Sequence, residues 1–267
     1  MSRKAKLAER IVYAAKATKV ARASRLGIAL SGVLIFLIFA IAYYGEVVGN
    51  FTFKVDRKAF QAGITLFHDP INKKYSSRLI ADKVEKAYAM TAFCGTEHSN
   101  YFLGENVCLP PDEDISSVYG SNNGESYLAY TFFVENAGLK IVDLEASITL
   151  IQSTRGAEQS LRVRLIINDD ATTYALPQTQ TGADPGMPEI FTQPFLSPYV
   201  VMNRTFTAFR PDEAVKVTVI LWYEGEDADH NVNIIGGGVK LDMTFSITYI
   251  YDDNEDIPSF TTTQTSN

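Results

Sequence analysis

Apolar and polar positions alternate in three different ways along this chain, and each way predicts a different element. Residues 26–45 (LGIALSGVLIFLIFAIAYYG) run twenty positions without a formal charge. At 1.5 Å rise per residue such a run spans about 30 Å, the thickness of a bilayer's hydrocarbon core. It is read as a transmembrane helix. Tyr43 and Tyr44 close it where an interfacial aromatic belt would sit.

The second pattern is the short, nearly continuous apolar run of a buried strand. Tyr127–Val134 (YLAYTFFV) and Val215–Trp222 (VKVTVILW) are rich in aromatic and β-branched residues. Asn136-Ala137-Gly138 ends the first as a turn. The third pattern is period-two alternation. It is loose over Ile141–Ile151 and clean over Leu161–Ile167, where Leu161, Val163 and Leu165 share one face and Arg162 and Arg164 the other. Asn168-Asp169-Asp170 is hairpin chemistry, because Asn and Asp tolerate the left-handed region. Thr172–Ala175 is then the return strand. Val239–Ile250 is a further strand, reached through an acidic loop and Gly236-Gly237-Gly238. Phe51–Val55 reads either as an ordinary first strand or as a strand donated to a neighbouring copy.

Five or more strands joined by polar turns predict a mainly β fold. The expected architecture is an N-terminal transmembrane helix followed by an antiparallel β-sandwich, jelly-roll-like, with one short helix. Leu79, Val84 and Ala87 place that helix around Ser77–Phe93. The expected organisation is a basic arm at 1–25, the span at 26–45, an extracytoplasmic domain at 46–251 and a flexible tail at 252–267. The tail is acidic and then Ser/Thr-rich, with no apolar periodicity.

Charge orients the span. Residues 1–25 hold eight Lys and Arg and one acid, Glu9, a net +7; the whole chain is −7, so the remainder carries −14. Juxtamembrane basic residues stay cytoplasmic, which places the N-terminus inside and the C-terminal body outside. Leu7, Ile11 and Ala15 also fall at helical spacing among basic residues, so the arm could lie on an anionic leaflet; its largely alanine face favours a simple topology signal. Ala40-Ile41-Ala42 has the small-residue form of a signal cleavage site, with the cut after Ala42. The length of the run, the long arm and the bulky Tyr43 favour an uncleaved anchor.

Two cysteines, Cys94 and Cys108, fall on the outer side. An even count in an oxidising compartment points to a disulfide, ahead of free thiols or a metal pair. The three histidines, His68, His98 and His230, form no H-E-x-x-H, and the chain has no G-x-S-x-G, P-loop or dinucleotide-binding fingerprint. No catalytic residues are assigned and no enzyme activity is expected. The loop from Glu224 to Asn231 is the candidate site. Glu224, Glu226, Asp227 and Asp229 offer hard oxygen ligands for Ca²⁺, although without the EF-hand order. The alternative is a solvated turn. Asp252, Asp253, Glu255 and Asp256 form a second acidic cluster, and Asn50-Phe51-Thr52 and Asn203-Arg204-Thr205 are glycosylation sequons.

The stretch Gly124-Glu-Ser-Tyr-Leu-Ala-Tyr-Thr-Phe-Phe-Val-Glu-Asn-Ala-Gly138 resembles the G-x-x-Y-[IL]-A-Y-T-F-x-[VL]-x-N-x-G strand of uncharacterised membrane-tethered exported proteins of Gram-positive bacteria. Their domain is similar to the TasA/camelysin class of jelly-roll proteins. Val219–Phe245 resembles that group's W-x-E-G-x-D-x-[DE]-C segment, its I-x-G-G and its final strand, and Ser160–Asn168 is a weaker match. His230 stands where the pattern often has Cys, so no disulfide or metal role is carried to that position. The resemblance implies a surface protein, and for the TasA type a fibre subunit. The protease activity described for camelysin finds no motif here.

Three functions follow as expectations. The first is a non-enzymatic surface module, structural or binding, held in the lipid bilayer by residues 26–45. The second is a cleaved, self-assembling fibre or matrix subunit. The third is an envelope hydrolase with a dispersed site. A body of −14 disfavours nucleic acid as a partner and leaves proteins, neutral glycans and its own copies.

Overall fold

The computed structural model describes residues 31–35, 51–85, 87–94, 108–179, 185–252 and 256–265. The chain divides into two units, Met1–Val48 and Gly49–Asn267. In the first, residues 31–35 are helical and exposed. The arm, the rest of the predicted span, Ala42 and Asn50 lie outside the described residues. Among the described residues no helix is long and apolar enough to cross a membrane.

The second unit is mainly β. Its strands are β1 (Phe51–Val55), β2 (Ile64–Phe67), β3 (Arg78–Ile80), β4 (Gly120–Ser121), β5 (Leu128–Asn136), β6 (Val142–Thr154), β7 (Leu161–Ile167), β8 (Asp170–Ala175), β9 (Gln193–Pro194), β10 (Val200–Phe209), β11 (Ala214–Tyr223), β12 (Gly238–Ile250) and β13 (Thr261–Gln264). They form two sheets. One has the order β13-β10-β6-β12-β1-β3; the other runs β2-β5-β11-β7-β8-β9, with β4 also on β5. Phe53, Phe132, Leu144, Val163, Phe206, Val219 and Phe245, drawn from both sheets, belong to one buried core.

The two kinds of apolar pattern correspond to the two sheets. In β6 and β12 buried and half-exposed residues alternate, so that sheet buries one face. In β5, β7 and β11 nearly every residue is buried. Their inner face joins the main core. Their outer face carries a second apolar cluster of Met90, Ile115, Ala129, Ile166, Ile220 and Trp222. A strand covered on both sides has no polar face to show, hence the continuous apolar runs.

Several expectations need correction. Among its described residues Ser77–Phe93 is not a helix: it contributes β3, which pairs with β1, and then an irregular segment with isolated β-bridges at Met90 and Thr91. Met90 N donates to the Tyr223 carbonyl at 2.9 Å, a sheet contact that outcompetes the weak helical periodicity. The helices of this unit among the described residues are instead Arg57–Gln61, capped by Asp56, and Asp112–Ser116, with a 3₁₀ turn at Val232–Ile234. The sheets are not purely antiparallel. β1 runs parallel to β12, and β8 parallel to β9. These partners are not joined by hairpins, so no turn forces an antiparallel pairing. β1 lies in its own sheet between β12 and β3, with Phe51 and Phe53 fully buried, as an ordinary strand. The tail is also not wholly unstructured. Thr261–Gln264 form β13 on the edge of β10, consistent with the strand preference of β-branched threonine.

The turn after β5 is tightly built. Asn136 is fully buried; its amide donates to the carbonyls of Lys140 and Phe209, and its Oδ1 accepts from Gly138 N. A Cβ on Gly138 would lie 2.0 Å from the Ala62 carbonyl oxygen, so only glycine fits.

Candidate functional site

Outward-facing residues of β7 and β11 meet three covering segments at one end of the second sheet. Thr91 and Cys108 form a β-bridge, and Cys94 and Cys108 are joined as a disulfide, as expected. Met90 bridges to Glu224 and places the 224–231 loop beside this segment. Phe191, from the 185–192 segment that leads into β9, lies with its ring 5.9 Å from that of Phe93.

Arg162 is at the centre. The clean alternation of β7 turns it outward, yet the covering segments leave it only 2% exposed. Its Nη1 donates to Asp227 Oδ2 at 2.7 Å, and its Nη2 lies 3.4 Å from Glu189 Oε2. Asp227 Oδ1 accepts from Asp229 N at 2.7 Å, and the two oxygens of Asp229 accept from the amide and hydroxyl of Thr179. Oxygens of Glu189, Asp227 and Asp229 lie within 4.8 Å of one another, and the cation among them is the Arg162 guanidinium.

The four-carboxylate calcium set expected from the loop is therefore not assembled. Asp227 and Asp229 do come together, but Glu224 turns away. Its Oε2 accepts from Trp222 Nε1 at 3.1 Å and Ala92 N at 3.3 Å, and its Oε1 from Glu226 N. Glu226 is half-exposed and outside the cluster. The loop is not a solvated turn either, since Glu224, Asp227 and Asp229 are all buried. Sequence reasoning missed Arg162 and Glu189 as members. A lone Arg on the polar face of an alternating strand carries no sign that the face will be covered. Glu189 lies more than thirty positions from the loop.

The cluster holds more negative than positive charge in little water. Burial, followed by the charge of Asp227, pushes the Glu189 carboxyl up to about 7, against the pull of Arg162. His230 Nδ1 lies 3.3 Å from the hydroxyl of Ser160, which is fully buried. Burial holds His230 below its ordinary value, opposed by Asp227 and Glu224. His68 is exposed, and His98 lies outside the described residues.

The remaining candidate positions are structural or outside the described residues. Asn203 is half-buried on β10, which lies between β6 and β13. Of the second acidic cluster, Asp252 and Asp256 are described and both are exposed. A small apolar cavity of about 50 Å³ opens where Val84 and Ala87 meet Leu128, Leu161, Leu221 and Val239.

Comparison with protein-family models, with curated proteins and with solved structures finds no match to this chain. The likeness to membrane-tethered exported proteins thus rests on the motifs of β5, β7 and β11–β12.

Proposed function

We propose that this protein is a single-pass membrane protein that holds a non-enzymatic β-sandwich module outside the membrane, where it binds a partner or serves a structural role. The carrying observation is the charge split around residues 26–45, +7 before and −14 after. The Cys94–Cys108 bond fits an oxidising compartment. Glu224, Asp227 and Asp229 of the candidate calcium set are engaged by Arg162, Trp222, Thr179 and backbone amides.

The finer jelly-roll reading draws support from strand order. Taking the eight long strands β1, β5, β6, β7, β8, β10, β11 and β12 in turn, the sheets contain β1-β12-β6-β10 and β5-β11-β7-β8. That is the order of a two-sheet jelly roll, with the parallel β1–β12 pair as a departure. It agrees with the proposed likeness to the TasA/camelysin class.

Protease treatment of intact cells of the natural host, combined with intact-mass measurement, tests this reading. The expected result is digestion of residues after 46 from outside, protection of the arm, and a mass that includes residues 1–45. A mature chain beginning at Tyr43 would replace the anchor with the secreted-subunit reading. Protection of the C-terminal body would overturn an extracytoplasmic location.

A further inference from the structure

We propose that the 231–238 turn is a membrane-contacting tip: Val232 and Ile235 dip into the interface of the outer leaflet and stand the β-sandwich on the end at which the chain enters it. This inference rests on the reading of residues 26–45 as a span and adds a second, peripheral lipid contact to it.

The tip is preformed. Asn231 Oδ1 accepts from Asn233 N at 3.0 Å, Ile234 N donates to the Asn231 carbonyl, and Gly237 N donates to the Ile234 carbonyl at 2.7 Å. Side chains three positions apart eclipse in a 3₁₀ turn, so Val232 and Ile235 project together while Ile234 turns back half-buried. The two are 77% and 70% exposed. Single apolar side chains on a surface are ordinary. Here two adjoin within Asn231–Gly238, a run that holds no charge. A cation stands beside them: Arg155 Nη1 donates to the Ile235 carbonyl at 3.2 Å, and a guanidinium suits a phosphate headgroup.

Strand register places the tip. β1 runs parallel to β12 with Phe51 opposite Leu241, so Gly238, where β12 begins, lies about 10 Å further toward the entry end than Phe51. The turn that feeds β12 stands at that end. Tyr199, 69% exposed, is level with Phe51, because its carbonyl accepts from Leu150 N and Leu150 pairs with Leu241. An amphipathic aromatic at that level fits the headgroup zone. Five residues separate Gly45, the end of the predicted span, from Phe51, and such a link reaches at most about 22 Å. β12 alone has 13 residues and a length of about 43 Å, so the tether holds the entry end near the bilayer and leaves the far end free. Two apolar side chains make a weak contact between separate molecules. The tether makes that contact intramolecular, at high effective concentration.

The full chain in phosphatidylcholine nanodiscs tests the tip. Both native cysteines are held in the Cys94–Cys108 bond, so Val232→Cys and Leu139→Cys each give one site for an environment-sensitive fluorophore. Leu139 is the control: it is 94% exposed in the turn between β5 and β6, at the far end, where Val142 pairs with Ile250. Lipid that carries a nitroxide near the top of its acyl chain should quench the label at 232 at least about threefold more than the label at 139, and aqueous iodide should do the reverse. Adding Ile235→Asp to the labelled Val232→Cys chain should remove the difference, with circular dichroism unchanged. Equal quenching at the two positions, in chains that co-elute with the discs, overturns the tip and leaves the span reading intact. So does a label at 232 that is shielded from iodide yet untouched by the lipid nitroxide, which marks a protein contact, or quenching that survives Ile235→Asp in a folded chain. A chain that fails to co-elute with the discs overturns the span reading and the tip with it.

Discussion

Arg162 shows how a residue's neighbours decide its worth. On an exposed strand its pairing with Asp227 would contribute under about 1 kcal/mol. Buried at 2.7 Å, its loss strands at least one carboxylate without a counter-charge. Arg162→Ala should lower unfolding free energy by about 3–5 kcal/mol, read from urea denaturation monitored by circular dichroism. Asn168 lies at the opposite extreme. It adopts φ +45° in the two-residue turn between β7 and β8, a conformation that the Asn-Asp-Asp sequence announces. Asn168→Val should cost about 1–2 kcal/mol in the same assay, whereas Asn168→Gly should change little. Gly138 is limited by space and not by φ. Gly138→Ala drives a Cβ into the Ala62 carbonyl, and a drop of several degrees in melting temperature is expected.

At the scale of elements, periodicity was legible wherever local pattern and tertiary burial agreed. β5, β7, β8, β11 and β12 fall within two residues of their sequence-read bounds, because each has a turn signal beside an apolar run. The Ser77–Phe93 segment failed because three apolar residues at helical spacing are weaker than a backbone hydrogen bond to Tyr223. β10 went unread, although it is as long as β11, because its inward residues include Arg204 and the outward ones are half-buried. β13 was hidden in a polar tail, since threonine reads as either loop or strand until an open edge at β10 selects the strand. Phe260 secures it by packing on the core, 6.0 Å from the Phe209 ring. Removal of residues 257–267 should expose the β10 edge and produce concentration-dependent association in sedimentation velocity. The Cys94–Cys108 bond closes a loop with a separation of 14 residues. Replacing both cysteines by alanine should cost about 3 kcal/mol by loop entropy, visible as a lower melting temperature matched by reduced wild type.

Across the whole molecule, charge and burial speak to different questions. On the proposed topology the arm's +7 would act through Lys16, Lys19, Arg22 and Arg25, which precede the predicted span. Replacing these four by glutamine should reduce the fraction of chains with the C-terminal body outside, measured by protease accessibility. Composition, apolar period and turn chemistry are properties of neighbouring residues, so they were enough to establish a β-rich body and most of its longer strands. Partners far apart in the chain leave no such trace. The union of Glu189 with Asp227 around Arg162, the parallel pairing of β1 with β12, and the covered outer face of the second sheet exist only once the chain is folded. Burial is a property of the assembled fold, and it alone turned an acidic loop read as solvent-facing or calcium-binding into a charge cluster closed around an arginine.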